Sequence, residues 1–332
     1  MPQRSIVQQE AYRVTRREAT TASGQSSTHD GYRKLLALVA GLPAVATAVA
    51  HPCSASAIAA VVEAAALGLI TPILVGPEAK ILAAAREAGV DVSGFRLVPA
   101  PHSHAAAAQS VALVRSGEAE LLMKGSLHTD ELMSAVVAAE IGLRTERRIS
   151  HVYLMDVPSY PRPLLLTDAA INIAPSLEDK RDIVQNAIDL ALVMGIASPR
   201  VAILSAVETI TSKLRSTLDA AALCKMAERG QITGGRLDGP LAFDNAISPL
   251  AAKEKGIHSE VAGQADILVV PDMEAGNMLA KQLTFLAGAD AAGVVLGARA
   301  PIILTSRADG ERTRIASCAV AVAFAQSKRR PA

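Results

Sequence analysis

The feature that most constrains this chain is an alternation sustained almost from end to end: short runs rich in β-branched residues, each followed by a longer Ala-rich segment with helical spacing. Such a pattern builds βαβ units, because parallel neighbours in a sheet must be joined by a crossover long enough to hold a helix. Strands are predicted at 45–51, 71–76, 95–99, 121–125, 151–157, 163–168, 201–205, 267–271, 294–297 and 302–305, with helices in the gaps. The fold class that follows is α/β, doubly wound around mainly parallel sheets. Ser176 with Asp179 three residues later reads as a capping box opening a helix, and Gly195 is suited to end it before Pro199.

At 332 residues the chain exceeds the size at which one hydrophobic core keeps growing, so two domains are expected. Residues 1–30 are polar and aperiodic and read as a flexible arm. Half of the chain is apolar but only 2% is aromatic, so the interior must be packed from Ala, Val, Leu and Ile. Lys and Arg number 33 against 32 Asp and Glu, which removes the broad positive field of a nucleic-acid binder; an anionic ligand must be held locally. Cys53, Cys224 and Cys318 are widely separated and form neither a disulfide framework nor a zinc site, which points to a reducing cytoplasm. The apolar run at 35–50 is shorter than a bilayer span, is broken by Gly41 and Pro43, and starts too late for a signal peptide, so no membrane association is expected.

Missing motifs narrow the chemistry. There is no Gly-x-Gly, Walker A, Gly-x-Ser-x-Gly or His-Glu-x-x-His sequence. Asp-x-x-x-Asp is also missing, and a divalent cation needs several carboxylate oxygens together, so a reaction without a metal is expected.

The polar residues fall mostly where strands end, and in open parallel sheets ligands bind at carboxyl ends of strands near helix N-termini. Lys124-Gly125-Ser126, followed by His128-Thr129, offers a cation, a backbone N–H nest and hydroxyls at one turn. It reads either as a phosphate site or as an ordinary Gly turn with Thr129 as N-cap. Asp168 and Asn172 leave a strand among small residues, either as ligand groups or as a tight turn held by Asx hydrogen bonds. Glu274-Ala-Gly-Asn277 opens a helix in which Gly276 permits close approach, with a ligand role for Asn277 second. Asp238 and Asp244 read as caps flanking a Gly-Pro turn, His51 and His128 as satisfied surface histidines, and 328–330 as a solvated basic tail.

Taken in order, six segments resemble the phosphate acetyltransferase and phosphate butyryltransferase family: Leu122-Met-Lys124-Gly-Ser126, Thr167-Asp-Ala-Ala-Ile-Asn-Ile-Ala-Pro175, Leu237-Asp-Gly-Pro-Leu-Ala-Phe-Asp-Asn-Ala246, Ala265-Asp-Ile-Leu-Val-Val-Pro271, Glu274-Ala-Gly-Asn277 and Leu304-Thr-Ser-Arg-Ala-Asp309. The stretch 263–288 is especially similar to the acetyltransferase module elsewhere fused to an enoyl-CoA hydratase domain. The resemblance implies two α/β/α domains with mainly parallel sheets facing a cleft, on the fold of isocitrate and isopropylmalate dehydrogenases. Domain one would be 31–148 plus 297–332, and domain two 149–296. It implies direct transfer of a short acyl group between coenzyme A and phosphate, without a cofactor or a covalent acyl-enzyme. The ligands are then acyl-CoA or coenzyme A and phosphate or acyl phosphate such as acetyl phosphate, and the protein a homodimer.

Under that resemblance Ser306 and Arg307 are catalytic, Arg307 as a fork-like clamp on developing charge and Ser306 as a hydrogen-bond donor. Lys124, Gly125, Ser126, Thr129, Asp168, Asn172 and Asn277 bind substrate. The acetyltransferase branch carries a catalytic Asp seven residues after that Ser, where this chain has Thr313; Asp309 or Glu311 are the substitutes from the same turn. Leu132-Met133-Ser134 also stands where many acetyltransferases have Leu-Arg-Pro, which places the chain nearer the butyryltransferase branch. A hydroxyacid dehydrogenase on the same fold, metal-dependent, and a non-catalytic acyl-CoA or phosphate-binding module are the competing readings.

Overall fold

In the computed structural model, which describes residues 31–305 and 309–329, the alternation is realised as eleven strands and eleven helices among the described residues. The arm at 1–30 lies outside them. The first part holds α1 (Gly31–Val39), β1 (Val45–Ala50), α2 (Ala55–Ala66), β2 (Ile70–Gly76), α3 (Glu78–Ala88), β3 (Arg96–Pro99), α4 (Ser103–Arg115), β4 (Leu121–Lys124) and α5 (Thr129–Val137). Next come β5 (Ser150–Asp156), β6 (Leu164–Thr167), α6 (Leu177–Val193), β7 (Arg200–Leu204), α7 (Arg215–Glu228), β8 (Arg236–Leu241), α8 (Phe243–Ile247) and α9 (Pro249–Glu254). They are followed by β9 (Ile267–Val269), α10 (Met273–Phe285), β10 (Asp290–Leu296), β11 (Ile302–Ile303) and α11 (Glu311–Ser327).

Local signals fix several boundaries. At α6 the capping box closes as expected: the Ser176 hydroxyl accepts from the Asp179 amide at 3.1 Å, and the Asp179 carboxylate accepts from the Ser176 amide at 3.0 Å. Two otherwise orphaned N–H groups are thereby satisfied. Gly195 takes φ 86°, the left-handed turn that lets the Ile196 amide reach back to the Ala191 carbonyl at 2.9 Å.

All eleven strands join one sheet in the order β3-β2-β1-β4-β11-β10-β5-β6-β9-β7-β8. It is mostly parallel. The antiparallel neighbours are adjacent in the middle: β11 with β10, β10 with β5, and β5 with β6. The flank containing β4 and β11 therefore runs opposite to the flank containing β6 and β9, and their carboxyl ends approach each other past β10 and β5.

One expectation needs correction. Asp238-Gly239-Pro240 is not a turn between caps but the middle of β8, which pairs with β7. The strand lies at the sheet edge, where a Pro without an N–H costs no ladder bond. Gly239 is needed there because a Cβ would lie 2.7 Å from the Ile203 carbonyl oxygen. Within the basic segment before the C-terminus, Lys328 and Arg329 are exposed as expected; Arg329 pairs with Glu120 at the surface, and the Lys328 ammonium sits 5.0 Å from the Phe324 ring centroid.

One face of the sheet carries a continuous apolar core that includes Val49, Met123, Val152, Val294 and Ile303. Most of α11 is sunk in it, with every residue from 314 to 326 buried. On the opposite face the core is split. One cluster contains Ala48, Ala50, Leu122, Val295, Ile302 and Leu304; a second contains Met155, Leu164, Leu166, Ala202 and Leu268. Polar side chains interrupt that face between the two clusters.

Candidate active site

The first polar group lies at the end of β4. The Lys124 ammonium donates to the Leu127 carbonyl at 3.2 Å and is 5% exposed. Gly125 follows, and only a residue without Cβ fits: a methyl group would lie 2.5 Å from the Ala50 carbonyl oxygen and 2.7 Å from that of His51. The close approach is held by the Gly125 and Ser126 amides, which donate to those two carbonyls at 2.9 and 2.8 Å. His51 presents its carbonyl by taking φ 53°, the left-handed region that side chains with a Cβ adopt at a cost of about 1 kcal/mol. Half-buried, its Nδ1 lacks a hydrogen-bond partner, and burial pushes its pKa below the usual range. The expectation of a satisfied surface histidine therefore fails for His51, whereas His128 is exposed.

Ser126 donates to the Ser54 hydroxyl at 2.8 Å, and Ser54 is the N-cap of α2, accepting from the Ala57 amide. With Thr305 after β11 and Arg314 from α11, these residues line a cavity of about 380 Å³. Two buried cations and the positive end of a twelve-residue helix converge there. That is a field for an anion such as phosphate. Ser54 and Arg314 escaped the sequence reading. The available signals were an N-cap Ser after the Pro52 turn and an Arg directly before the nearly all-apolar run 315–325.

The second group lies at the end of β6. Asp168 is buried, and its carboxylate accepts from the amides of Ala170, Ile171 and Asn172 at 2.9, 3.1 and 3.2 Å and from the Asn172 side chain at 2.6 Å. Burial raises its pKa against the pull of these hydrogen bonds. Both oxygens are thus committed to the loop. Asn172 is oriented further by donating to the Ile149 carbonyl and accepting from Arg148 at 2.6 Å. Asn277 braces the loop from α10 by donating to the Ala169 carbonyl at 3.3 Å, over Gly276, whose Cβ would lie 2.9 Å from the Asp168 carbonyl oxygen.

Thr129, the first residue of α5 rather than its N-cap, meets Asn172 in a larger cavity of about 870 Å³ that also receives Arg144, Arg147, Arg148 and Arg181. The structure thus brings Lys124, Gly125 and Ser126 to one cavity and Thr129 and Asn172 to another. Asp168 and Asn277 hold the loop beside the second.

Ser306 and Arg307 lie outside the described residues. Asp309, half-buried just beyond them, accepts from Arg314 Nε through its backbone carbonyl at 3.2 Å. Glu311 is turned toward α2, where its hydrogen bond and charge raise the pKa of the Glu63 carboxyl. Of the two substitutes for the missing acid, Glu311 is engaged with Glu63.

A profile of the family described as "Phosphate acetyl/butaryl transferase" matches residues 102–322, which span both loops. A phosphate acetyltransferase of Rhizobium meliloti is 65% identical over 305 residues, covering 92% of this chain and 96% of that protein. A phosphate butyryltransferase of Clostridium acetobutylicum is 44% identical over 269 residues, covering 81% of this chain and 89% of the other. Among solved structures, a branched-chain phosphotransacylase from Enterococcus faecalis V583 matches with a TM-score of 0.73 at 29% identity, covering 85% of this chain and 99% of that one. Since the match runs through the Lys124 cradle and the Asp168 loop and takes in nearly the whole of its relatives, the chain belongs to the phosphate acetyl/butyryl transferase family.

Proposed function

We propose that this protein is a phosphate acyltransferase that moves an acetyl group between coenzyme A and phosphate by direct thiolate attack in a ternary complex. One observation carries the reading. An anion cradle of Lys124, Arg314 and the α2 N-terminus sits in a chain that is 65% identical to a phosphate acetyltransferase over 92% of its length. That identity, set against 44% to a butyryltransferase, favours acetyl over the longer group that the Leu132-Met133-Ser134 departure suggested.

In this reading the phosphoryl end of acetyl phosphate lies in the smaller cavity and coenzyme A, a substrate rather than a cofactor, in the larger one, each within the usual size of a ligand site. Asp309 accepts the thiol proton, the thiolate adds to the acyl carbonyl, and the tetrahedral intermediate collapses with phosphate as leaving group. Ser306 and Arg307, with Lys124 and Arg314, hold the charge on oxygen and on departing phosphate. Asp168 contributes by fastening the loop that presents Asn172. Cys53 is not suited to carry the acyl group, since burial pushes its thiol up to about 11 and keeps it protonated at neutral pH. The two domains divide at 31–148 plus 297–332 and 149–296, and the enzyme is a cytoplasmic homodimer that needs no metal. Among the described residues no helix is long and apolar enough to cross a membrane.

The deciding experiment measures thiol release from acetyl-, propionyl- and butyryl-CoA with phosphate or arsenate, without added nicotinamide or divalent metal. Acetyl-CoA should give the highest kcat/KM. Nicotinamide reduction on a hydroxyacid without thiol release, or acyl-CoA binding without any turnover, would remove the reading.

A further inference from the structure

Resting on that acyl-transfer reading, we infer that Tyr153 is a catalytic residue whose hydroxyl donates a hydrogen bond to an oxygen of the reacting acyl phosphate.

Its place follows from the sheet register. Met123 pairs with Ile303, Ile303 with Val294, and Gly293 with Tyr153, so Tyr153 stands in the row one step beyond, together with Lys124, Leu304 and Gly293. Residues in one row project from the same face. Three strand spacings, about 14 Å, separate the backbones of Lys124 and Tyr153, with Leu304 of the same row between them. Toward the other flank Tyr153 pairs with Leu166, two residues before Asp168. Tyr153 thus occupies the interval where the apolar core of this face is split, between the anion cradle and the Asp168 loop.

The ring is held in place. His151, two residues earlier on the same face, packs against it edge-on with centroids 4.3 Å apart. His151 is fully buried, has no partner for either ring nitrogen, and lies over Gly293, where a Cβ would come within 2.8 Å of Nε2. It acts as a neutral wedge that sets the direction of the phenol. Tyr153 stays partly accessible, and its hydroxyl has no hydrogen-bond partner among the described residues. Burial and the nearby carboxylates of Asp309 and Asp168 push the phenol up to about 12, which leaves it protonated throughout the working range. Such a group can donate but cannot serve as the base. A neutral donor in a partly desolvated site also suits charge that develops only during reaction.

The test is Tyr153→Phe, which keeps the ring against His151 and deletes only the hydroxyl. In the acetyl-CoA and phosphate assay kcat should fall on the order of 10²-fold. KM for acetyl-CoA and the thermal midpoint should stay at the wild-type values, a split that loss of packing would not produce. Calorimetric titration with acetyl phosphate should give equal affinity for both proteins if the bond strengthens in the transition state. A variant as active as the unmodified enzyme overturns this inference alone, whereas an unmodified enzyme without acyl transfer overturns the proposed function with it. A variant that loses midpoint and kcat together, and recovers both in a stabilising osmolyte, assigns Tyr153 to packing and also overturns the inference.

Discussion

Replacing Gly125 by Ala tests whether the β4 turn is shaped by steric necessity or is merely a turn. The added methyl carbon would lie 2.5 Å from the Ala50 carbonyl oxygen, 2.7 Å from that of His51 and 2.8 Å from the His51 carbonyl carbon. All three are backbone atoms, so no side-chain rotation relieves the clash. Restoring an ordinary contact of 3.4 Å from 2.5 Å requires β1 and β4 to separate locally by about 0.9 Å. That displacement breaks or strains the Gly125 and Ser126 amide bonds to Ala50 and His51. At about 1 kcal/mol each, the loss is roughly 2 kcal/mol, or on the order of 3 °C in thermal midpoint for a chain of this size. The same movement carries Lys124 and Ser126 away from the α2 N-terminus, and a misplacement near 1 Å costs on the order of 10² in turnover. Paired assays of thermal midpoint and arsenate-driven thiol release would register both effects. Gly94→Ala, at a position whose added Cβ meets nothing within 4 Å, serves as the control. A Gly125→Ala protein that melts and turns over as the wild type does would refute the steric account of the cradle.

Other consequences can be measured separately. Lys180 and Asp219 form a buried pair at 2.7 Å between α6 and α7, so Lys180→Met should cost about 1.5–3 kcal/mol in chemical denaturation by leaving the carboxylate only the more distant, exposed Arg215 at 3.7 Å; a loss below about 1 kcal/mol would show the pair to be hydrated. Burial holds His151 at about 3 in place of 6.5, so the unfolded chain binds the extra proton between those values and stability must fall as pH drops through that window. The slope should exceed that of His151→Asn by up to about 1.4 kcal/mol per pH unit, since the carboxylates titrate alike in both; equal slopes in both proteins would contradict it. Arg307→Ala should lower turnover on the order of 10² if the guanidinium holds transition-state charge, and a near-normal rate would take it out of the mechanism.

The sequence exposed the elements well because their signals are local. Ten of the strands and the α6 capping box follow from the period of apolar residues and from single caps. The exception, β8, was hidden because Gly239 and Pro240 carry the composition of a turn, and nothing local reveals that they lie on a sheet edge. The site was legible only in part. Lys124-Gly125-Ser126 and Asp168 to Asn172 stand out as polar breaks after apolar strands. Ser54, Arg148 and Arg314 do not, since each looks like an ordinary helix or loop residue until the fold brings it to a cavity. Asp168, proposed as a substrate ligand, has its carboxylate occupied by its own loop.

By itself, then, the sequence determined the α/β class, most strand positions and the Gly125 turn, because hydrophobic period and backbone sterics act over a few residues. Tertiary structure alone decided that β10 and β5 join two oppositely directed flanks in one sheet. That register depends on pairing residues such as Val152 and Val294, far apart in the chain, and it sets Tyr153 between the Lys124 and Asp168 loops. No local pattern encodes such a distance.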